Sequence, residues 1–409
     1  MGLGVDLSGY TTLGLGGPAG SFAEPGTDAE LVAGVRSADQ RGDPLLVLGG
    51  GSNLVISDDG FAGTVLHVVT RGVALAGRGS RVTVTAAAGE NWDSLTAMCA
   101  AEGLAGVECL AGIPGLVGAT PIQNVGAYGQ EVAETITQVR CYDRASGEVV
   151  ALTGAQCGFG YRTSMFKQST GWLPSGVSPA GETQPGVSPA REMPSGVSPA
   201  RETQPGDPPP AGPAPGRAGS QAARPTGRYV VLGVTFTLAR EPLSGPVGYA
   251  ELARTLGVAP GDRVPLADAR AAVLGLRRGK GMVLDVADPD TRSAGSFFTN
   301  PVLSPAQFGA VERVAAARFG PGTAVPRFPA ASEAVKVPAA WLIERSGFTR
   351  GYPGGGAVQI SSKHTLALVN RGGGSTKDLL ALATEIRDGV RAVFGVDLVP
   401  EPVLVGAAL

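Results

Sequence analysis

The feature that most restricts how this chain can fold is a loop of small residues set between strand-like runs. Gly49-Gly50-Gly51-Ser52-Asn53 is preceded by Pro44 to Leu48 and followed by Leu54-Val55-Ile56 and Gly63-Thr64-Val65-Leu66. A Rossmann fingerprint or a P-loop needs a helix directly after its glycines, so that the helix N-terminus faces the phosphates. A strand follows here, so neither standard dinucleotide motif is present. The loop can still act as a nest, in which successive backbone N–H groups converge on an anion while Ser52 and Asn53 add side-chain donors.

Helix and strand signals surround this loop in mixed order. Thr27 with Glu30 forms a capping box, Leu31, Val32, Val35 and Ala38 recur at helical spacing, and Gly42 is the stop. Arg81 to Ala86 alternates as a strand, and Asn91 to Ala101 carries Trp92, Leu95, Met98 and Cys99 on one helical face before Gly103. Further strand signals lie at Val139 to Tyr142, Glu148 to Leu152 and Tyr229 to Leu238. Ser304-Pro305 with Gln307 starts a later helix, and Ser375 with Asp378 starts another, bearing Leu379, Leu382, Ala383, Ile386, Val390 and Val393. The expected class is α+β with mixed sheets. At 409 residues there is room for two or three cores.

One segment departs from this pattern. Gly-Val-Ser-Pro-Ala occurs at 176–180, 186–190 and 196–200, followed by Pro208-Pro209-Pro210 and a Pro/Ala/Gly tract. Residues from about 169 to 227 lack the apolar content that offsets ordering entropy, and are expected to form a disordered or polyproline-like surface insertion. Repeat expansion within a loop explains them better than a folded array; partner docking is the lesser alternative.

Composition removes several function classes. Lys and Arg total 33 against 35 Asp and Glu, so the net charge of −2 gives no general attraction to nucleic acid or anionic lipid. No apolar run is long enough to span a membrane, and the first basic residue is Arg36, so a secretory start is not expected and the cytoplasm is the default compartment. Cys99, Cys109, Cys141 and Cys157 have no CxxC spacing and read as free structural thiols. With only His67, in a strand pattern, and His364, a multi-histidine metal site or a Ser-His-Asp triad is poorly supported, and no metal is expected. Oligomeric state has no signal in the sequence; a monomer is the default expectation.

A second small-residue stretch, Ala111-Gly112-Ile113-Pro114-Gly115-Leu116-Val117-Gly118-Ala119-Thr120-Pro121-Ile122-Gln123-Asn124-Val125-Gly126-Ala127-Tyr128-Gly129, is too broken by Gly and Pro for an ordinary helix or central strand. Such a segment either approaches a flat cofactor closely or is an irregular crossing of the core. Its residues alone leave both open.

These two loops, together with Gly160-Tyr161-Arg162-Thr163-Ser164-Met165-Phe166-Lys167, Gly295-Ser296-Phe297-Phe298-Thr299-Asn300-Pro301 and Pro400-Glu401-Pro402, closely resemble the UDP-N-acetylenolpyruvoylglucosamine reductase family. Five motifs in this order are specific where any one would be ambiguous. The resemblance implies a two-part FAD-binding region of the p-cresol methylhydroxylase type followed by an α+β substrate-binding domain. The implied divisions are 1–68, with the tail 402–409 returning to it, 69–283 and 284–401. The resemblance also implies FAD as cofactor, NADPH as hydride donor and UDP-N-acetylglucosamine enolpyruvate as substrate. Cofactor contacts are expected from Gly49, Gly50, Gly51, Ser52 and Asn53, and from Gly112, Gly118, Ala119, Thr120, Pro121, Gln123, Asn124, Gly126 and Ala127.

Reduction of an enolpyruvyl ether places negative charge in an enolate-like arrangement beside a carboxylate, and positioned donors stabilise it. The resemblance aligns Arg162 with the family's catalytic arginine, whose planar fork suits a carboxylate. It aligns Ser296 with the proton donor, although a serine in such a turn can equally cap backbone groups. Glu401 matches the third catalytic position, and its flanking prolines favour an extended chain; an exposed edge glutamate is the alternative. Tyr161, Lys280, Asn300 and His364 match positions near the substrate, and Tyr249 resembles the tyrosine that closes over the nucleotide in one branch of the family.

Overall fold

The computed structural model describes residues 2–77, 79–168, 226–330 and 333–409. The first helix, Asp28–Arg41, begins at the expected capping box: Glu30 N donates to Thr27 Oγ1 (3.2 Å) and Thr27 N to the Glu30 carboxylate (3.1 Å). It buries Leu31, Val32, Val35 and Ala38 and ends at Gly42, whose φ of 70° is left-handed. The helix packs on a small parallel sheet in which Phe61–His67 lies between Ala19–Ala23 and Leu45–Leu48. Leu54–Ile56 belongs to no part of that sheet. It pairs in parallel with Val403–Val405, from the far end of the chain. Residues 49–53 therefore carry the chain from one sheet to another and are left in the crevice between them.

The second sheet is antiparallel, in the order Glu148–Thr153, Ile136–Asp143, Tyr229–Arg240, Arg81–Ala87 and Val73–Ala76. Its central strand is buried on both faces over residues 230–234 and then alternates, with Phe236 and Leu238 in the core and Thr235 and Thr237 only half-buried. Helices Asp28–Arg41 and Trp92–Ala101 share one core with it, containing Leu31, Val35, Leu66, Val84, Trp92, Val234 and Phe236. Truncating a ring such as Phe236 there would cost roughly 3–5 kcal/mol. Of the expected insertion, residues 169–225 lie outside the described residues. Thr226 and Gly227, assigned to it from the sequence, are part of the fold: Val47 N donates to Thr226 Oγ1 (2.8 Å), and Arg144 Nη1 bonds both of their carbonyls (2.7 and 2.9 Å).

The third part packs helices Pro305–Phe319, Ala339–Arg345 and Thr376–Phe394 around an antiparallel sheet of Val358–Ile360, Ala367–Asn370 and Ser293–Ser296. Both expected capping boxes, Ser304 with Gln307 and Ser375 with Asp378, are formed. Leu13, Leu15, Val55 and Leu404 enter this core beside Phe297, Phe298 and Ile386, so the first and last segments tie the parts together. Two helices that the pattern of the sequence did not mark, Ala250–Leu256 and Leu266–Gly279, bury Leu252, Val273 and Leu274 against Cys109 and Ala111. All four cysteines are free and buried. His67 ends its strand with Nδ1 2.9 Å from Glu24. Among the described residues no helix is long and apolar enough to cross a membrane.

Candidate active site

A cavity of about 610 Å³ opens where the three parts meet, within the range usual for small-molecule sites. Residues 50–53 line one wall, and among the described residues their four backbone N–H groups donate to nothing. The second small-residue segment lies directly against them. A Cβ on Gly50 would sit 2.8 Å from Gly115 Cα, and one on Gly115 would sit 2.8 Å from Ser52 Oγ. Any larger residue would force the two loops apart. Gly118, Ala119, Thr120, Gln123, Gly126 and Ala127 extend this wall. Unpaired amides on a wall bare of charged side chains suit a cofactor with an anionic diphosphate and a flat ring.

Four expected cofactor residues lie behind the wall. Gly49 backs onto Leu116, and Pro121 is buried. Gly112 N donates to Asp93 Oδ1 (2.8 Å), and a Cβ there would lie 2.7 Å from Leu274. Asn124, at φ 46°, donates to Glu131 (2.7 Å) and Gly160 O (3.1 Å) and accepts from Ala133 N. Its side chain is spent on internal bonds, so it holds the loop's shape.

A second part of the lining carries charge and is bonded directly to the first. Arg162 sits in a tight turn closed by mutual backbone bonds between Gly160 and Thr163, with a left-handed φ of 54°. Its Nη2 donates to Gly126 O (2.8 Å) and its Nε lies 3.3 Å from Glu401 Oε1. Glu401 is held extended, its N donating to Phe297 O (2.8 Å) and its carbonyl accepting from Asn53 Nδ2 (3.4 Å). Burial raises its pKa above the usual carboxylate range, and Arg162 and Lys167 partly offset this. Ser296 closes a bulged strand after Gly295, whose φ is 76°. Among the described residues the Ser296 hydroxyl makes no hydrogen bond, so it caps nothing, and it lines the cavity.

Tyr249 and Tyr128 meet edge to face (5.4 Å) at another part of the lining, and Lys280 Nζ lies 5.6 Å from the Tyr128 ring and 2.6 Å from Glu251. His364 lines the same region; burial first, then Lys280 and Arg350, lowers its pKa to about 4. Tyr161 and Asn300 stand back from the cavity. Asn300 Oδ1 accepts from Ala339 N (2.9 Å), and the Tyr161 ring has Lys336 Nζ 4.2 Å and the Arg162 guanidinium 5.8 Å from its centre.

Arg277 also lines the cavity, and no motif had singled it out. Its Nη2 donates to Met282 O (2.8 Å), while its buried Nε has no partner among the described residues; burial chiefly lowers its pKa to about 10. A signal existed, since Arg277 follows Ala269 and Val273 at intervals of four on the buried face of its helix.

Residues 19–153 match the family model described as FAD binding domain, and residues 288–405 match that of the UDP-N-acetylenolpyruvoylglucosamine reductase C-terminal domain. The UDP-N-acetylenolpyruvoylglucosamine reductase of Thermobifida fusca is 51% identical over 406 residues, covering 99% of this chain and 98% of that protein. The chain belongs to the UDP-N-acetylenolpyruvoylglucosamine reductase family. The Streptomyces coelicolor protein of the same name is 51% identical across 98% of this chain and 90% of its own. In structure, the UDP-N-acetylenolpyruvylglucosamine reductase of Thermus caldophilus aligns with a TM-score of 0.58 at 22% identity, covering 98% of this chain and 97% of that one. The chain is thus an FAD-dependent oxidoreductase with a two-part cofactor fold of the p-cresol methylhydroxylase type and an α+β domain after it, as the sequence resemblance implied.

Proposed function

We propose that this enzyme takes electrons from NADPH and reduces UDP-N-acetylglucosamine enolpyruvate to UDP-N-acetylmuramate, as a cytoplasmic monomer supplying peptidoglycan precursors. The single observation that carries the mechanism is the convergence of Arg162, Ser296 and Glu401, from three distant stretches, on one cavity. When bound, FAD supplies the hydride that adds to the terminal carbon of the enolpyruvyl group. The amides of residues 50–53 and the small residues Gly115, Gly118, Ala119, Thr120, Gly126 and Ala127 would hold it, with Arg277 offering its unpaired Nε to an acceptor.

Arg162 binds the substrate carboxylate and stabilises the charge that develops beside it. Ser296 Oγ then gives its proton to the adjacent carbon, so hydride and proton together saturate the double bond. Glu401, largely buried beside Arg162, either bonds the substrate carboxylate in its protonated form or orients the proton path. Tyr249, Lys280 and His364 lie where the sugar diphosphate would extend, and neutral His364 serves as a hydrogen-bonding group. Tyr161 and Asn300 support Arg162 from behind.

The test is anaerobic. Purified holoenzyme is bleached with NADPH, and UDP-N-acetylglucosamine enolpyruvate is then added while flavin absorbance is followed. Prompt reoxidation with formation of UDP-N-acetylmuramate is expected, and flavin that stays bleached would overturn the reading.

A further inference from the structure

Lys167 has no part in the scheme above, yet it lies within the same charged cluster. It sits on the short helix Met165–Gln168, one turn after Arg162, and lines the cavity. Its Nζ donates to the carbonyl of Arg162 itself (3.3 Å). That carbonyl belongs to a non-glycine residue at φ 54°, a conformation that needs support from its surroundings. The helix bearing Lys167 is in turn fixed to the cofactor wall. Ser164, fully buried, donates its hydroxyl to Ile122 O (2.6 Å), and Gln168 N donates to Ser164 O (3.1 Å). Phe166 packs edge to face on Tyr229 (6.1 Å).

Charge gives the second half of the argument. Glu401 is one carboxylate facing two cations, Arg162 and Lys167, with Tyr161 the further titratable group in its field. Burial lowers the pKa of Lys167, and Glu401 opposes that drop. With Lys167 present, one cation can pair with an ionised Glu401 while the other faces a substrate carboxylate, adding to the charge that Arg277 brings to the same cavity.

We propose that Lys167 is a positioning residue for the reductase reaction: by bonding the Arg162 carbonyl it holds the left-handed turn that aims the guanidinium, and it supplies the second cation beside Glu401. This rests on the function proposed above. Displacing a substrate-orienting group by about 1 Å commonly costs on the order of 100-fold in rate, and loss of Lys167 acts on Arg162 in that way.

The test uses full-length holoenzyme with Lys167→Met and Lys167→Arg. Lys167→Met is expected to slow reoxidation by the enolpyruvyl substrate by about 30-fold or more relative to flavin reduction, and Lys167→Arg to recover most of that loss. Carboxyl titration of ¹³C-labelled Glu401, free of substrate, is expected to move upward in Lys167→Met and stay near the parent value in Lys167→Arg. Parent-like reoxidation and an unmoved Glu401 titration in Lys167→Met would overturn the inference. So would loss of flavin with both half-reactions slowed alike, which marks a structural residue. If the parent enzyme itself fails to reoxidise, the proposed function fails, while the Glu401 titration still decides whether Lys167 sets that carboxyl.

Discussion

The two walls of the cavity are built from different material. On one, residues 50–53 and 115–127 offer backbone amides and small side chains; on the other, Arg162, Lys167, Ser296 and Glu401 offer charge and a hydroxyl. The first wall is made of two contiguous stretches, each held by its neighbours' backbone. The second is assembled from the 160s, the 290s and position 401, which only the closed fold unites. Binding a cofactor demands surface that lets its backbone approach, whereas the reaction demands a few side chains set to within fractions of an ångström.

The sharpest way to break this comparison is to remove the reactive wall's hydroxyl. Ser296→Ala should leave flavin bleaching by NADPH largely intact and slow reoxidation by the enolpyruvyl substrate about 10³-fold, the scale of a lost general acid. Stopped-flow absorbance separates the two steps. Equal slowing of both would place Ser296 with the cofactor wall instead.

Arg162→Lys tests the fork itself. A lysine keeps the charge but cannot reach Gly126 O and Glu401 while also gripping a carboxylate with two nitrogens. We expect kcat/KM for the enolpyruvyl substrate to fall about 100-fold, with the flavin content unchanged. A variant that loses flavin in proportion to activity would mean the two walls are one unit.

Gly50→Ala attacks the other wall. The added Cβ, 2.8 Å from Gly115 Cα, meets backbone that has no flexible end to move aside, and overpacking of this kind costs roughly 1–3 kcal/mol. Flavin affinity should drop about tenfold, read as flavin per protein and by fluorescence titration, while the flavin that remains bound turns over normally. Unchanged affinity would show that the two loops need not touch.

The same division explains what the sequence made legible. Helix ends such as Thr27 with Glu30 and Ser375 with Asp378 are local, because the bonds that make them span three residues. The cofactor loops read as loops, since clustered Gly and Pro exclude regular structure, but which residues face inward did not. Asn124 and Gly112 look like ligand contacts in a motif and turn out to be occupied by Glu131 and Asp93. Arg162, Ser296 and Glu401 were reachable only through the family resemblance, for no periodicity links them. Helix Leu266–Gly279 has a weak apolar signal, because its buried face carries small Ala269 and ends in Arg277, the residue that lines the cavity.

The smallest expected effect concerns His364, which belongs to neither wall. Its pKa is lowered from the ordinary 6.5 to about 4, first by burial and then by Lys280 and Arg350, with Glu251 and Glu344 opposing. At neutral pH the imidazole is uncharged, so turnover should show no limb near pH 6.5 that His364→Gln removes. Stability gives the positive test. Between about pH 6.5 and 4 the unfolded chain binds a proton that the folded chain refuses, so folding weakens as pH falls through that window and is unaffected above it. His364→Gln has no such proton to refuse. Its unfolding free energy from urea titration should match the parent's dependence above pH 7 and fall less steeply below, by on the order of 2 kcal/mol at pH 4.5 once solvent access is allowed for. Parallel curves for the two proteins would mean that His364 is open enough to titrate as it does in water, and that the region beyond the two walls is wetter than its packing suggests.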